Sequence, residues 1–228
     1  MALDRHMAPV IKDAIDFDIK LKPYQHFVLD NQVEVYTYEG GAEPVMLMDM
    51  VFFAGNSYED KNWVAAATNF LLKNGTTKKS AFEINEAFEF YGAHLSRNCY
   101  NETATIALHC LTKYFKEVIP VVSELISEAN FPEKELQIYQ QNLIQRLSLN
   151  LKKSDFIANR FIDEYLFGID HPYGKYSTAA AFNALTREDV VKYYDRFYKH
   201  GKAVVFMAGK FPKNMQSLMN QYIGSLPL

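Results

Sequence analysis

The chain has 228 residues, of which 49% are hydrophobic, 14% aromatic and 22% charged, with a formal net charge of −3. A chain of this length makes one large domain or two small ones and can bury roughly 70% of its unfolded surface. This apolar content excludes intrinsic disorder, and the near-neutral balance lacks the basic excess of a dedicated nucleic-acid binder. No run approaches the ~18 apolar residues of a membrane span. Met1 to Lys20 mixes acidic and basic residues without an apolar signal core. A cytoplasmic or periplasmic protein with no membrane partner is expected.

A polar arm covers residues 1–20, and residues 21–228 read as a single domain. Phe27 to Leu29 and Val33 to Tyr38 predict two short strands joined by the turn residues Asp30, Asn31 and Gln32. Val45 to Phe53 predicts a third strand, so nearly all apolar that burial on both faces is expected. Asn62 to Lys73 has helical spacing and stops at Gly75. Ser80, with Glu83 three residues later, opens the next helix at capping-box spacing. His94 to Tyr100 and Thr103 to Leu108 alternate about Asn101-Glu102 and predict a hairpin. Three helices follow, over Lys113 to Glu128, from Pro132 to Leu151, and over Ser154 to Phe167. Beyond a His171-Pro172-Tyr173-Gly174 loop, Thr186 and Asp189 cap another helix, Ala203 to Ala208 predicts a strand, and Pro212 to Ile223 a last helix. Hairpins interrupted by blocks of helices predict an α+β fold, an antiparallel-rich mixed sheet of about six strands with helices packed on it.

Chemistry is harder to find. The six histidines form neither His-Glu-x-x-His nor His-x-x-Glu-His, and neither a Gly-x-Ser-x-Gly elbow nor a phosphate-binding Gly-x-x-x-x-Gly-Lys is present. His94 and His109 fall on neighbouring predicted strands, where two imidazoles can begin a metal site, although strand histidines at a sheet surface are the commoner arrangement. Asp163-Glu164 reads as a solvated helix face. Cys99 and Cys110 are too few for a disulfide framework or a Cys-based zinc site, and predicted positions at opposite ends of the hairpin leave two reduced thiols.

Three stretches, taken in order and spacing, resemble the inverted-zincin peptidases of the pitrilysin, insulinase and mitochondrial processing peptidase superfamily. One runs from His171-Pro172-Tyr173-Gly174 through Leu185-Thr186-Arg187-Glu188-Asp189 and Tyr193-Tyr194 to Ala208-Gly209-Lys210-Phe211. A second is Asn31-Gln32-Val33-Glu34-Val35 ahead of the long apolar strand, with Gln32 in place of the usual Gly. The third is Leu71-Leu72-Lys73-Asn74-Gly75-Thr76, which resembles the end of the family's zinc helix. The resemblance implies a His-x-x-Glu-His helix whose two histidines bind zinc while the Glu activates a water. Counting back from Gly75-Thr76, those positions hold Ala66 and Phe70 for the histidines and Asn69 for the Glu, and the register of the remaining Glu ligand falls on Arg146. None of the four can bind zinc or act as a base near neutral pH, so no catalytic or metal-ligating residue and no zinc is expected here.

By the same resemblance, the chain is the first domain of a zinc-free half that pairs with a homologous zinc-bearing peptidase subunit around a peptide chamber. An extended peptide would add as a strand beside Arg97-Asn98-Cys99-Tyr100. The same four residues also suit a plain edge strand blunted by polar side chains. Two other functions stay open, an active zinc metalloendopeptidase with unfamiliar ligands such as His94 and His109, and a purely structural subunit.

Overall fold

A computed structural model describes residues 22–228, so the arm expected over residues 1–20 lies outside the described residues. The strands are β1 (Gln25–Val28), β2 (Glu34–Glu39), β3 (Val45–Phe52), β4 (His94–Cys99), β5 (Ala104–Leu111) and β6 (Ala203–Gly209). They form one six-stranded sheet in the order β1-β2-β6-β3-β5-β4. Only β2 and β6 run parallel, which makes the sheet mixed and antiparallel-rich as expected. The helices are α1 (Val64–Leu71), α2 (Ala81–Phe90), α3 (Phe115–Glu128), α4 (Glu133–Asn150), α5 (Ser154–Phe167), α6 (Ala179–Asn183), α7 (Arg187–Tyr194) and α8 (Met215–Tyr222).

Several starts and stops follow directly from side-chain chemistry. Ser80 and Glu83 make the reciprocal capping box at the start of α2, and Thr186 and Asp189 make another at the start of α7. The hairpin register sets Cys99 opposite Ala104 while Cys110 pairs with Met46, so the two thiols sit well apart along the sheet, and both are free. The short α6 has no counterpart in the sequence expectation, and the helix expected from Thr186 through Phe197 widens to a π-helical segment at Asp195–Lys199.

The central strand departs from expectation in a way that matters. Along β3, Met46, Met48, Met50 and Phe52 are buried, whereas Leu47, Asp49 and Val51 are only half covered. Burial on both faces is therefore corrected to burial on one. The cause is pairing: β3 lies antiparallel to both β5 and β6, and antiparallel sheets readily leave one face to water. The helices cover the other face. There Val64, Ala67 and Leu71 of α1, Val118, Val122 and Leu125 of α3, and Val190 of α7 join the strand residues in one core.

One-sided burial predicts an asymmetric mutational cost. Met48→Ala should destabilise by about 2–5 kcal/mol, as truncations in a closed core do. Leu47→Ala, one residue away, should cost less than about 1 kcal/mol. Urea unfolding of both variants measures the difference.

Candidate functional site

Helix α1, where the resemblance puts the zinc-helix register, is tied to its surroundings ahead of its start and along its length. Ahead of it, the Glu59 carboxylate accepts the backbone N–H groups of Trp63 at 2.9 Å and Ala65 at 3.2 Å, which otherwise lack partners at a helix start. Burial pushes the Glu59 carboxyl above its ordinary range, and these two amides pull it partly back. Further along, Asn69 is buried and its side-chain amide donates to the Thr105 carbonyl at 3.2 Å, tying α1 down onto β5. A base at this position would have to face a substrate; Asn69 faces the sheet, beside a buried Tyr198 hydroxyl that lacks a hydrogen-bond partner of good geometry.

Phe70 stacks on Tyr139 of α4, with ring centroids 4.7 Å apart and planes 27° from parallel. The Arg97 guanidinium, reaching in from β4, lies 4.9 Å above the Phe70 ring and donates to the Phe70 carbonyl near the end of α1. That carbonyl carries part of the negative end of the helix dipole, and the ring face is negative too, so a cation suits the place. Burial lowers the Arg97 pKa to about 10, which leaves it charged at neutral pH. Lys73 adds a second cation 5.4 Å from the Phe88 ring. Its pKa is lowered by burial first and then by Arg97. Arg146 stands two turns beyond Tyr139 on α4, near enough for its charge to act on the Tyr139 phenol, whose pKa burial drives upward.

This donor set does not suit zinc. A zinc site needs lone pairs on imidazole, carboxylate or thiolate, whereas this one presents a methyl, two aromatic rings, a hydrogen-bonded amide and three cationic side chains. Among the described residues, no group of three or more His, Cys, Asp or Glu side chains is arranged to hold a metal ion. His94 and His109 do face one another directly across β4 and β5, with ring centroids 6.4 Å apart.

Arg97, Asn98, Cys99 and Tyr100 lie at the sheet edge formed by β4, but the pleat divides them. Arg97 and Cys99 turn toward the helices, Asn98 toward the open face, and Tyr100 lies beyond the strand, 56% exposed. Burial pushes the Cys99 thiol up to about 12, so it is an unreactive group at neutral pH. The turn after β4 is clamped by the His171-Pro172-Tyr173-Gly174 loop. The Tyr173 hydroxyl donates to Glu102 at 2.6 Å, and Ser57 donates to the same carboxylate at 3.2 Å. Gly174 is required because a Cβ there would stand 2.0 Å from the Gly168 carbonyl oxygen. The contribution of Tyr139, the glutamate cap from Glu59 and the inward turn of Arg97 were missed from sequence. For Arg97 the signal was present in the alternation of β4, which puts it on the same face as buried Leu95.

No family model matches the chain. It is 22% identical over 186 residues to a protein from Rickettsia felis named "Uncharacterized zinc protease", covering 79% of this chain and 45% of that protein. It is 21% identical over 171 residues to the "Probable mitochondrial-processing peptidase subunit beta" of Schizosaccharomyces pombe, covering 72% of this chain and 36% of that one. Among solved structures, a peptidase M16 inactive domain from Pseudomonas fluorescens superposes with a TM-score of 0.83 at 21% identity, over 90% of this chain and 51% of that chain. The first half of the periplasmic protease PqqL from Escherichia coli gives 0.76 at 16% identity, over 91% of this chain and 47% of that chain. The chain is thus similar in sequence to proteins named zinc protease and mitochondrial-processing peptidase, and it has the fold of peptidase M16 domains. It spans about half the length, or less, of the relatives it matches.

The Arg97 contact gives a test. Arg97→Ala leaves the Phe70 carbonyl without this donor and should destabilise the protein by about 1–3 kcal/mol. Arg97→Lys should rescue only part of the loss, because an ammonium offers no plane to lie over the ring. Thermal melts of the two variants distinguish these outcomes.

Proposed function

We propose that the chain is a zinc-free, non-catalytic half of a paired peptidase, acting as a scaffold that helps form the peptide chamber of a homologous zinc-bearing subunit. The observation that carries this reading is the replacement at α1 and α4. The positions that bind zinc in the resembling family hold Ala66, Phe70 and Arg146, and a fixed guanidinium covers the Phe70 ring. A divalent cation brought there would meet Arg97 and Lys73 before it met a ligand.

Two features support a partner and a peptide. Helix α5 has no buried residue, and Phe161, Ile162, Tyr165 and Leu166 are all at least half exposed along it. An apolar strip of this kind is characteristic of a surface that another protein covers. Strand β4 pairs only with β5 among the described strands, so its outer edge offers backbone groups to an extended peptide.

Purified protein should contain no stoichiometric zinc, should not melt higher when zinc is added, and should cleave no peptide in a chelator-sensitive way. Co-expression with a homologue bearing an intact His-x-x-Glu-His should give a complex that cleaves, and Tyr165→Asp with Leu166→Asp should weaken that complex by about tenfold or more. Tight zinc binding by the chain alone would overturn the assignment. Pairing with no effect on cleavage would favour a purely structural subunit.

A further inference from the structure

The open face of the sheet is organised in rows fixed by strand register. Through β3 at Asp49 the row reads Tyr36, Phe206, Asp49, Ala107 and Ser96. At Leu47 it reads Tyr38, Ala208, Leu47, His109 and His94. At Val51 it reads Glu34, Val204, Val51, Thr105 and Asn98. Asp49 is thus a carboxylate in the middle of the sheet, between two side chains with no polar atom, Phe206 and Ala107.

Asp49 Oδ1 is buried and has no hydrogen-bond partner. Burial raises the Asp49 pKa, with His109, diagonal to it on β5, drawing it back. A strand gains nothing in stability from such a group, since valine or isoleucine fills a pleated surface without the desolvation penalty. Beside it lies a hollow of about 480 Å³ lined by Tyr24, Tyr36, Tyr38, Leu47, Asp49 and Phe206. Its rings are already ordered. Tyr36 stacks on Phe206 at 5.6 Å and 21°, and the Tyr36 hydroxyl is held by Glu34 at 2.9 Å.

We infer that this hollow binds the guanidinium of an arginine side chain presented by a polypeptide, with Asp49 as its counter-ion and the Phe206 and Tyr36 rings as its stacking surface. Charge complementarity selects a cation, and the flat aromatic wall selects a planar one. Guanidinium is also more weakly hydrated than ammonium and can bind a carboxylate through two parallel hydrogen bonds. A metal ion is disfavoured, because one carboxylate with a diagonal imidazole supplies too few ligands. The site lies on the sheet face opposite α1 and does not depend on the proposed partnership.

The test is a nitrogen–proton NMR titration of the full chain with N-acetyl-arginine amide, N-acetyl-lysine amide and the neutral isostere N-acetyl-citrulline amide. Saturable shifts confined to the Asp49 row are expected with arginine, with lysine weaker and citrulline weaker by at least about tenfold, the size of a hydrogen bond to a charged group. Asp49→Asn should lose that preference yet fold, and should melt about 2 °C or more higher at neutral pH. The sign follows from linkage: a carboxyl whose folded pKa is raised makes the native state most stable below its unfolded value, and that stability is lost as pH rises through the folded pKa. The gain of Asp49→Asn should therefore shrink toward zero in acid. Phe206→Leu, which keeps the carboxylate, should weaken arginine binding and spare the melt. Equal binding of citrulline and arginine, an unchanged preference in Asp49→Asn, or absence of shifts on this face would overturn the inference.

Discussion

Everything on the two sides of the sheet depends on the alternation along β3. Met46, Met48, Met50 and Phe52 form the floor on which α1, α3 and α7 rest, and the residues between them are held on the opposite side by the same backbone. Slipping the register by one residue would send Asp49 under the helices and the methionines to water, so the buried face specifies the pairing strongly. Because β3 is bonded on both sides, by β5 and β6, it also sets the heights of the neighbouring strands. Arg97 reaches Phe70 and Asp49 lies beside Phe206 for one reason: parity along paired strands.

On the helical side, that geometry holds a cation of its own. Zinc is the cation that the family resemblance would put at this register, and the cation present there is Arg97, reaching in from β4. The exchange is not neutral in chemistry. A metal needs deprotonated ligands and contributes folding energy only when bound, whereas a guanidinium is always present and draws on a ring face and a carbonyl dipole. It also changes what restoration would require. Placing histidines at Ala66 and Phe70 would remove the ring that Arg97 covers and leave its charge facing the incoming zinc, so the cation on β4 must go as well.

Much of this was legible in the sequence, and the exceptions have physical causes. The capping boxes at Ser80 and Thr186 and the α5 boundaries could be read because local hydrogen bonds and propensity decide them. Helix α6 escaped notice because it spans only Ala179–Asn183, a single turn held by the Thr178 side chain accepting from the Ala181 N–H at 3.1 Å. The π-helical segment at Asp195–Lys199 carries the fully buried Tyr198, and no local pattern announces its widened turn. The apolar run over β3 was misread because periodicity cannot say whether a second layer covers a strand, and Leu, Val and Met are tolerated on a half-covered face. Asp49 was the available clue: one carboxylate inside such a run is poorly suited to a strand closed on both sides.

The contrast between Arg97 and Asp49 separates structural charge from charge held in reserve. Both are ionisable groups drawn into a sheet, and both lose hydration. Arg97 recovers the loss inside the chain, from a carbonyl and a ring, and its removal should weaken the fold. Asp49 recovers little, since its neighbours in the row are Phe206 and Ala107 and its buried oxygen bonds to nothing. A group that burdens the native state and lies beside an ordered aromatic wall fits the trade of stability for function that binding sites commonly show. By that logic the Arg97 contact is the settled part of the molecule, and the open face is where we infer that an interaction is still to be made.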